Sequence, residues 1–263
     1  MAKPFLTSVD GAISEPGEAT ISIADNGLVR GDGVFEMLRV YDGEPFAQDE
    51  HLDRLERSAA GVELPLDRAL IEQEAAALLT AAKGADCNLR ILLTRGGRRL
   101  MMLEAPLVHP ETVTLASVSF TPNLVLAGVK SLSYCANEQA TRVAAAQGAD
   151  EALLIHPDDK VLEAPTSSIF WASAEGRLRT PALELGILDS ITRAFLVREL
   201  SVEEGNWPAS ELTGAREAFL ASTTREVQAV AAIDGQELPE APGALTREAQ
   251  DAYGRLTGEA RSS

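Results

Sequence analysis

The sequence predicts an α+β fold in two domains, and three observations carry that expectation. Strand-like and helix-like runs are mixed without the strict alternation of a parallel β-α sheet. The chain, at 263 residues, is at the upper end of what a single hydrophobic core supports. The triplet Thr121-Pro122-Asn123 breaks periodicity between two strand-like runs near the middle. Residues 1–120 are therefore expected as a small N-terminal α+β domain, 121–129 as a linker and strand start, and 130–263 as a larger, strand-rich, barrel-like domain.

In chain order, Ala19–Ile23 and the alternating run Gly33–Tyr41 read as strands, and Asp42-Gly43 turns the second into a short hairpin partner. Gln48–Val62 sets Leu52, Leu55 and Ala59 on one helical face, and Leu66–Ala82 is a second, alanine-rich helix. Asn88–Thr94 and Thr112–Phe120 are apolar enough for central strands, with the arginine-rich turn Arg95–Arg99 between them. After the linker comes a helix over Cys135–Gln147, ended by Gly148 as the residue past its C-cap. Strands at Ala152–His156, Ser168–Ala172 and Arg177–Arg179 precede a helix over Ser190–Glu203. Strands near Ala218–Ala221 and Val227–Ile233, a proline-rich connector at 239–242 and a helix from Thr246 complete the reading.

Composition excludes several function classes. A net charge of −17 repels nucleic acid and anionic membranes alike, so neither is an expected partner. The two cysteines, Cys87 and Cys135, are isolated, which gives neither a disulfide framework nor metal-ligand spacing. No metal is expected, and a reducing cytoplasm is the natural compartment. Residues 1–20 carry no charged start followed by an apolar core, so no secretory leader is expected, and no run approaches membrane-spanning length.

Lys130 is the residue that most demands explanation. Lys3 lies at the terminus, Lys83 follows a helix at its C-terminal end, and Lys160 falls in the turn Pro157–Lys160. Lys130 instead closes the apolar stretch Leu124–Val129, where an ammonium is costly unless paired, and a partly desolvated lysine is what Schiff-base chemistry requires. Two further segments suit an anion. Gly186–Arg193 runs into a helix whose first amides, near Ile191 and Thr192, point outward at its positive end, and Ser222-Thr223-Thr224 is a hydroxyl cluster directly after a strand. Taken singly, each also reads as a helix cap or a turn. Glu163, before Ala164-Pro165-Thr166, reads as a turn carboxylate or as the partner of a protonated pyridine nitrogen.

In order, Arg30–Glu36, Glu50–Leu55, Val129–Tyr134, Gly148–Ala152, Leu162–Ala164, Gly186–Arg193 and Ser222–Val227 resemble the landmarks of the class IV, fold-type IV pyridoxal-phosphate enzymes over nearly the whole chain. That family comprises branched-chain and D-amino-acid aminotransferases, R-selective amine transaminases and aminodeoxychorismate lyase. The resemblance implies a two-domain fold, a small N-terminal α/β sandwich plus a C-terminal pseudo-barrel with helices, a homodimer, and pyridoxal 5'-phosphate as cofactor. It implies Lys130 as the Schiff-base lysine and Glu163 at the pyridine nitrogen. Tyr134 falls at the phenolic oxygen, and Arg54, Ile191, Thr192 and Thr223 at the phosphate. Phe35, Arg98, Arg99, Thr223 and Thr224 border the substrate. The implied reaction moves an amino group between an amino acid, branched-chain-like or D, or a primary amine, and a 2-oxo acid. The alternative is β-elimination of pyruvate from aminodeoxychorismate to leave 4-aminobenzoate. Leu100 or Met101 stands where D-specific enzymes carry a histidine, and Ser168 replaces a common asparagine.

Overall fold

A computed structural model describes residues 3–260, with side chains through 258. Contacts divide it into two compact units. The first comprises residues up to Leu107, Gly128–Tyr134 and those from Thr257 on; the second comprises Val108–Ala127 and Cys135–Leu256.

The first unit contains β1 (Pro4–Val9), β2 (Ala12–Ser14), α1 (Asn26–Arg30), β3 (Gly33–Tyr41), β4 (Glu44–Pro45), α2 (Gln48–Gly61), α3 (Arg68–Ala81), β5 (Cys87–Thr94) and β6 (Arg99–Glu104). Its antiparallel sheet runs β2-β1-β6-β5-β3-β4. Asp10-Gly11 and Asp42-Gly43 turn the two edge hairpins, each with both residues at positive φ, as a two-residue hairpin turn of the twisted kind requires. Helices α2 and α3 close a core in which Leu38, Leu55, Leu78 and Leu89 are essentially sealed from solvent. Sealing each such side chain contributes about 1.5–3 kcal/mol.

The second unit contains β7 (Thr112–Ser119), α4 (Cys135–Ala146), β8 (Glu151–His156), β9 (Lys160–Val161), β10 (Ser168–Ala172), β11 (Leu178–Pro181), α5 (Ile191–Glu199), β12 (Val202–Gly205), β13 (Glu217–Ser222), β14 (Glu226–Ile233) and β15 (Gln236–Glu237). Helix α6 (Ala244–Ala260) ends the described chain. Its sheet runs β12-β11-β10-β13-β14-β7-β8-β9, with β15 beside β14, and curls into a half-barrel. One apolar cluster centres on Trp171, Leu220 and Val230, and a second seals Ala140 and Ala144 of α4 against Ala152 and Leu154 of β8.

The α+β class holds, and several details are corrected. Residues 19–23 form no strand: Ile23 is 86% exposed and the chain turns at once, with the Asp25 amide donating to the Ser22 carbonyl. The N-terminal hairpin is β1-β2 instead. Leu124–Leu126 is a single 3-10 turn with Val125 88% exposed, so the run before Lys130 neither starts a strand nor buries the lysine. The unit boundaries also differ from the expected 1–120, 121–129 and 130–263. Strand β7 pairs in parallel with β8 and β14, which puts it in the second unit, while Gly128–Tyr134 belongs to the first. Helix α5 stops at Glu199 because the chain turns into β12, which pairs in parallel with β11.

Candidate active site

In the first unit the Lys130 segment lies along the start of β3. The Phe35 amide donates to the Lys130 carbonyl (2.9 Å), the Leu132 amide donates to the Gly33 carbonyl (2.9 Å), and Ser131 bridges Val34. The Lys130 amide donates to Oγ of the buried Ser58 on α2 (3.1 Å). These bonds fix the backbone, and the side chain follows: Nζ lies 4.4 Å from the centre of the Phe35 ring and 5.6 Å from that of Tyr134. The two rings meet edge to face at 5.1 Å. Partial desolvation of Lys130 thus has a different source from the one expected. Two aromatic rings supply it; of the preceding apolar run, Leu124 and Val125 are turned to solvent and Val129 packs into the core of the first unit.

Helical spacing places His51 and Arg54 on one face of α2, against Glu36 of β3. Arg54 grips Glu36 through Nε (2.7 Å) and Nη2 (2.8 Å), and His51 Nδ1 lies 2.8 Å from the same carboxylate. All three side chains are buried. Burial pushes the Glu36 carboxyl pKa up, but the charge and hydrogen bonds of Arg54, with His51, prevail and hold it at about 2. Burial pushes His51 the other way, below its ordinary value, with Arg54 and Lys130 adding to the shift against the pull of Glu36. Glu36 and His51 escape a residue-by-residue reading; the only signal is that both fall inside motifs already singled out.

The arginine-rich turn is already engaged within its own unit. Arg98 Nη1 pairs with Asp10 (2.5 Å), Arg99 meets Glu74 through Nε and Nη2 (2.8–3.1 Å), and Arg95 pairs with Asp32 (3.2 Å). Arg98 is the most exposed of the three at 45%, against 25% for Arg99.

In the second unit Glu163 follows the short strand β9, its carbonyl accepting from the Leu154 amide (2.9 Å). Both of its carboxylate oxygens face the Leu188 amide, at 3.2 and 3.4 Å. The structure therefore joins two of the sequence motifs, because Gly186, in the left-handed region at φ 80°, turns the chain so that Leu188 meets Glu163. Ser190 caps α5, its Oγ accepting from the Arg193 amide (3.4 Å), and Ile191 and Thr192 are the first helical residues. Their amides have no acceptor one turn earlier in the helix. Thr223 and Thr224 sit in the turn between β13 and β14, where Ser222 Oγ accepts from the Arg225 amide (3.3 Å).

Among the described residues no three His, Cys, Asp or Glu side chains are grouped to hold a metal ion. Among the described residues no helix is long and apolar enough to cross a membrane.

The amino-transferase class IV family model matches residues 33–233. A D-alanine aminotransferase of Bacillus licheniformis is 32% identical, over 92% of this chain and 94% of its own. A putative branched-chain-amino-acid aminotransferase of Methanocaldococcus jannaschii is 31% identical, over 87% and 88% respectively. Among solved structures, a fold IV transaminase from Curtobacterium pusillum superposes with a TM-score of 0.84 at 29% identity, covering 93% of each chain. A 4-amino-4-deoxychorismate lyase from Pseudomonas aeruginosa gives 0.80 at 28% identity, covering 95% of this chain and 98% of its own.

Proposed function

The chain belongs to the class IV aminotransferases, and from that premise we propose that it takes pyridoxal 5'-phosphate and uses Lys130 to move an amino group from an amino acid or primary amine to a 2-oxo acid. The observation that carries the proposal is the Lys130 segment, stitched to β3 by two backbone bonds and to α2 by the Ser58 hydroxyl, with its amine against Phe35 and Tyr134.

The residues present suit the cofactor. Glu163, its carboxylate already anchored by the Leu188 amide, would hold a proton on the pyridine nitrogen. The amides of Ile191 and Thr192 and the hydroxyl of Thr223 suit a phosphate, as does Arg54, whose guanidinium plane Glu36 orients. When bound, the cofactor supplies the electron sink that lets the Cα–H bond of the donor break. The Lys130 amine takes that proton from Cα of the amino donor and, in the second half of the cycle, returns one to Cα of the 2-oxo acid. Phe35 limits the directions in which the lysine swings and shields it from water, and Tyr134 is assigned to the phenolic oxygen. Thr223 and Thr224, with Arg98 or Arg99 of the arginine-rich turn, are assigned to the substrate carboxylate. Branched-chain and D-amino acids are both candidate donors, after the relatives at about 30% identity. A homodimer, testable by sedimentation, and a cytoplasmic location, testable by cell fractionation, are part of the same proposal.

The direct test is borohydride reduction of the cofactor-loaded protein, followed by peptide mapping. The pyridoxyl label is expected on Lys130; its recovery on Lys3, Lys83 or Lys160 refutes the assignment. A panel of L-branched-chain, D-alanine and R-amine donors, followed in half-reactions, then fixes the donor. The similarity to the Pseudomonas lyase favours a second reading. Pyruvate release from aminodeoxychorismate with no amino acceptor present would establish it.

A further inference from the structure

The turn carrying Thr223 and Thr224 is held by a buried charge pair that the reaction itself does not use. The Arg225 side chain is only 11% exposed. Its Nη2 donates to Glu151 Oε2 (3.0 Å) and its Nη1 to Gln228 Oε1 (2.6 Å). Each partner is anchored in turn. Glu151 Oε1 accepts from Thr141 Oγ1 of α4 (2.9 Å) and from the Ala152 amide (3.1 Å), and Gln228 Nε2 donates to the Pro110 carbonyl (2.6 Å). His109, its Nε2 buried, lies beside the Thr224 backbone. The residue after Arg225, Glu226, sits in the left-handed region at φ 57°, uncommon for a non-glycine residue.

A tight turn between two antiparallel strands needs no ion pair beneath it, and a buried pair adds little net stability over apolar groups of the same volume. What this one supplies is direction: a planar fork fixed at two points cannot rotate, so the backbone carrying it cannot either. We propose that Arg225 is a positioning residue, which through Glu151 and Gln228 sets the aim of the amides and hydroxyls of Thr223 and Thr224 toward an anionic group of cofactor or substrate. The assignment rests on the reading above that this turn receives such a group.

Arg225→Met leaves Glu151 buried and unpaired and is expected to lower the melting temperature. The double variant Glu151→Leu/Arg225→Met removes both charges and is expected to regain it. Two readouts then apply to the double variant: the dissociation constant of pyridoxal 5'-phosphate compared with that of pyridoxal, which reports the phosphate, and the KM for 2-oxo acids against kcat, which reports the carboxylate. A rise of about tenfold in either, the loss of roughly one well-aimed hydrogen bond, with kcat nearly unchanged and stability restored, supports positioning and says which anion the turn holds. Arg225→Lys, which keeps the charge without the fork, is expected to fall between. If both readouts return to wild-type values together with stability, Arg225 is structural and the proposal is overturned. Thr223→Val separates the two possible failures. A change there with none in the double variant removes only the role of Arg225; no change in either removes the turn from the site, and the proposal with it.

Discussion

Glu36→Gln is the substitution whose effect follows most directly from the geometry. Glu36 is sealed between Arg54 and His51, and the amide keeps its size while removing its charge, leaving the Arg54 guanidinium buried without a counter-ion. The carboxyl falls from 4.5 to about 2 on folding, which by linkage corresponds to about 3 kcal/mol at neutral pH. Breaking a buried pair from one side costs about 3–5 kcal/mol, the same order. The folded pKa is depressed, so this stabilisation is fully present above pH 4.5 and is lost as the pH falls toward 2. The expected outcome is a melting temperature lowered by about 6–12 °C at pH 7, with the gap to wild type narrowing once the pH drops below 4.5. Scanning calorimetry on protein freed of cofactor, so that ligand binding adds nothing, measures it. Amide exchange across β3 confirms that the unit containing Glu36 is the one weakened. A gap that is as large at pH 3 as at pH 7, or no gap at all, refutes the account of the carboxylate as the counter-ion that holds Arg54.

Arg54→Ala is expected to weaken pyridoxal 5'-phosphate binding by a charge-assisted contact of about 1.5–3 kcal/mol, seen as loss of cofactor on prolonged dialysis while wild type stays loaded. In Glu163→Gln the side-chain oxygen still accepts from the Leu188 amide but cannot hold the ring proton. Cofactor should therefore remain bound while single-turnover proton transfer slows by about a hundredfold or more; wild-type single-turnover rates would refute the role. Arg98→Ala is expected to raise KM for amino and 2-oxo acids and to spare amines without a carboxylate. Arg99→Ala is expected to act chiefly on stability, because it strips Glu74 of its two-point partner. Identical kinetics for both substrate classes in Arg98→Ala would remove that turn from the site.

Elements whose signals are local were legible. The alternation of Gly33–Tyr41, the Asp42-Gly43 turn and the periodic apolar face of α2 need no distant partner to be recognised, and they appear within a residue of where they were expected. Residues 19–23 carry the same alternation yet form no strand, because no neighbour pairs with them; β6 is masked in the sequence because its first residue, Arg99, reads as part of a turn. The site divides the same way. Lys130 stood out by chemistry alone, but its surroundings did not, since Phe35 comes within reach only through a long-range pairing of 130–132 with β3. Glu36 was hidden for a related reason. A carboxylate on the inward face of a strand reads as an error of patterning until the arginine that neutralises it, 18 residues on, is seen beside it.

The interleaving of the two units bears on how the molecule is made. The first unit is not finished when its sixth strand is, because the segment Gly128–Tyr134 that lines β3 is encoded after the β7 stretch belonging to the second. During synthesis, β3 must wait, one margin incomplete, until Tyr134 has cleared the ribosome. No single cut of the gene separates the units, either. A fragment ending at Leu107 would keep Phe35 and Ser58 but lose the lysine, and one beginning at Val108 would carry the lysine without the strand that holds it. Lys130 can therefore be set in place only in a chain that has already committed to building both units.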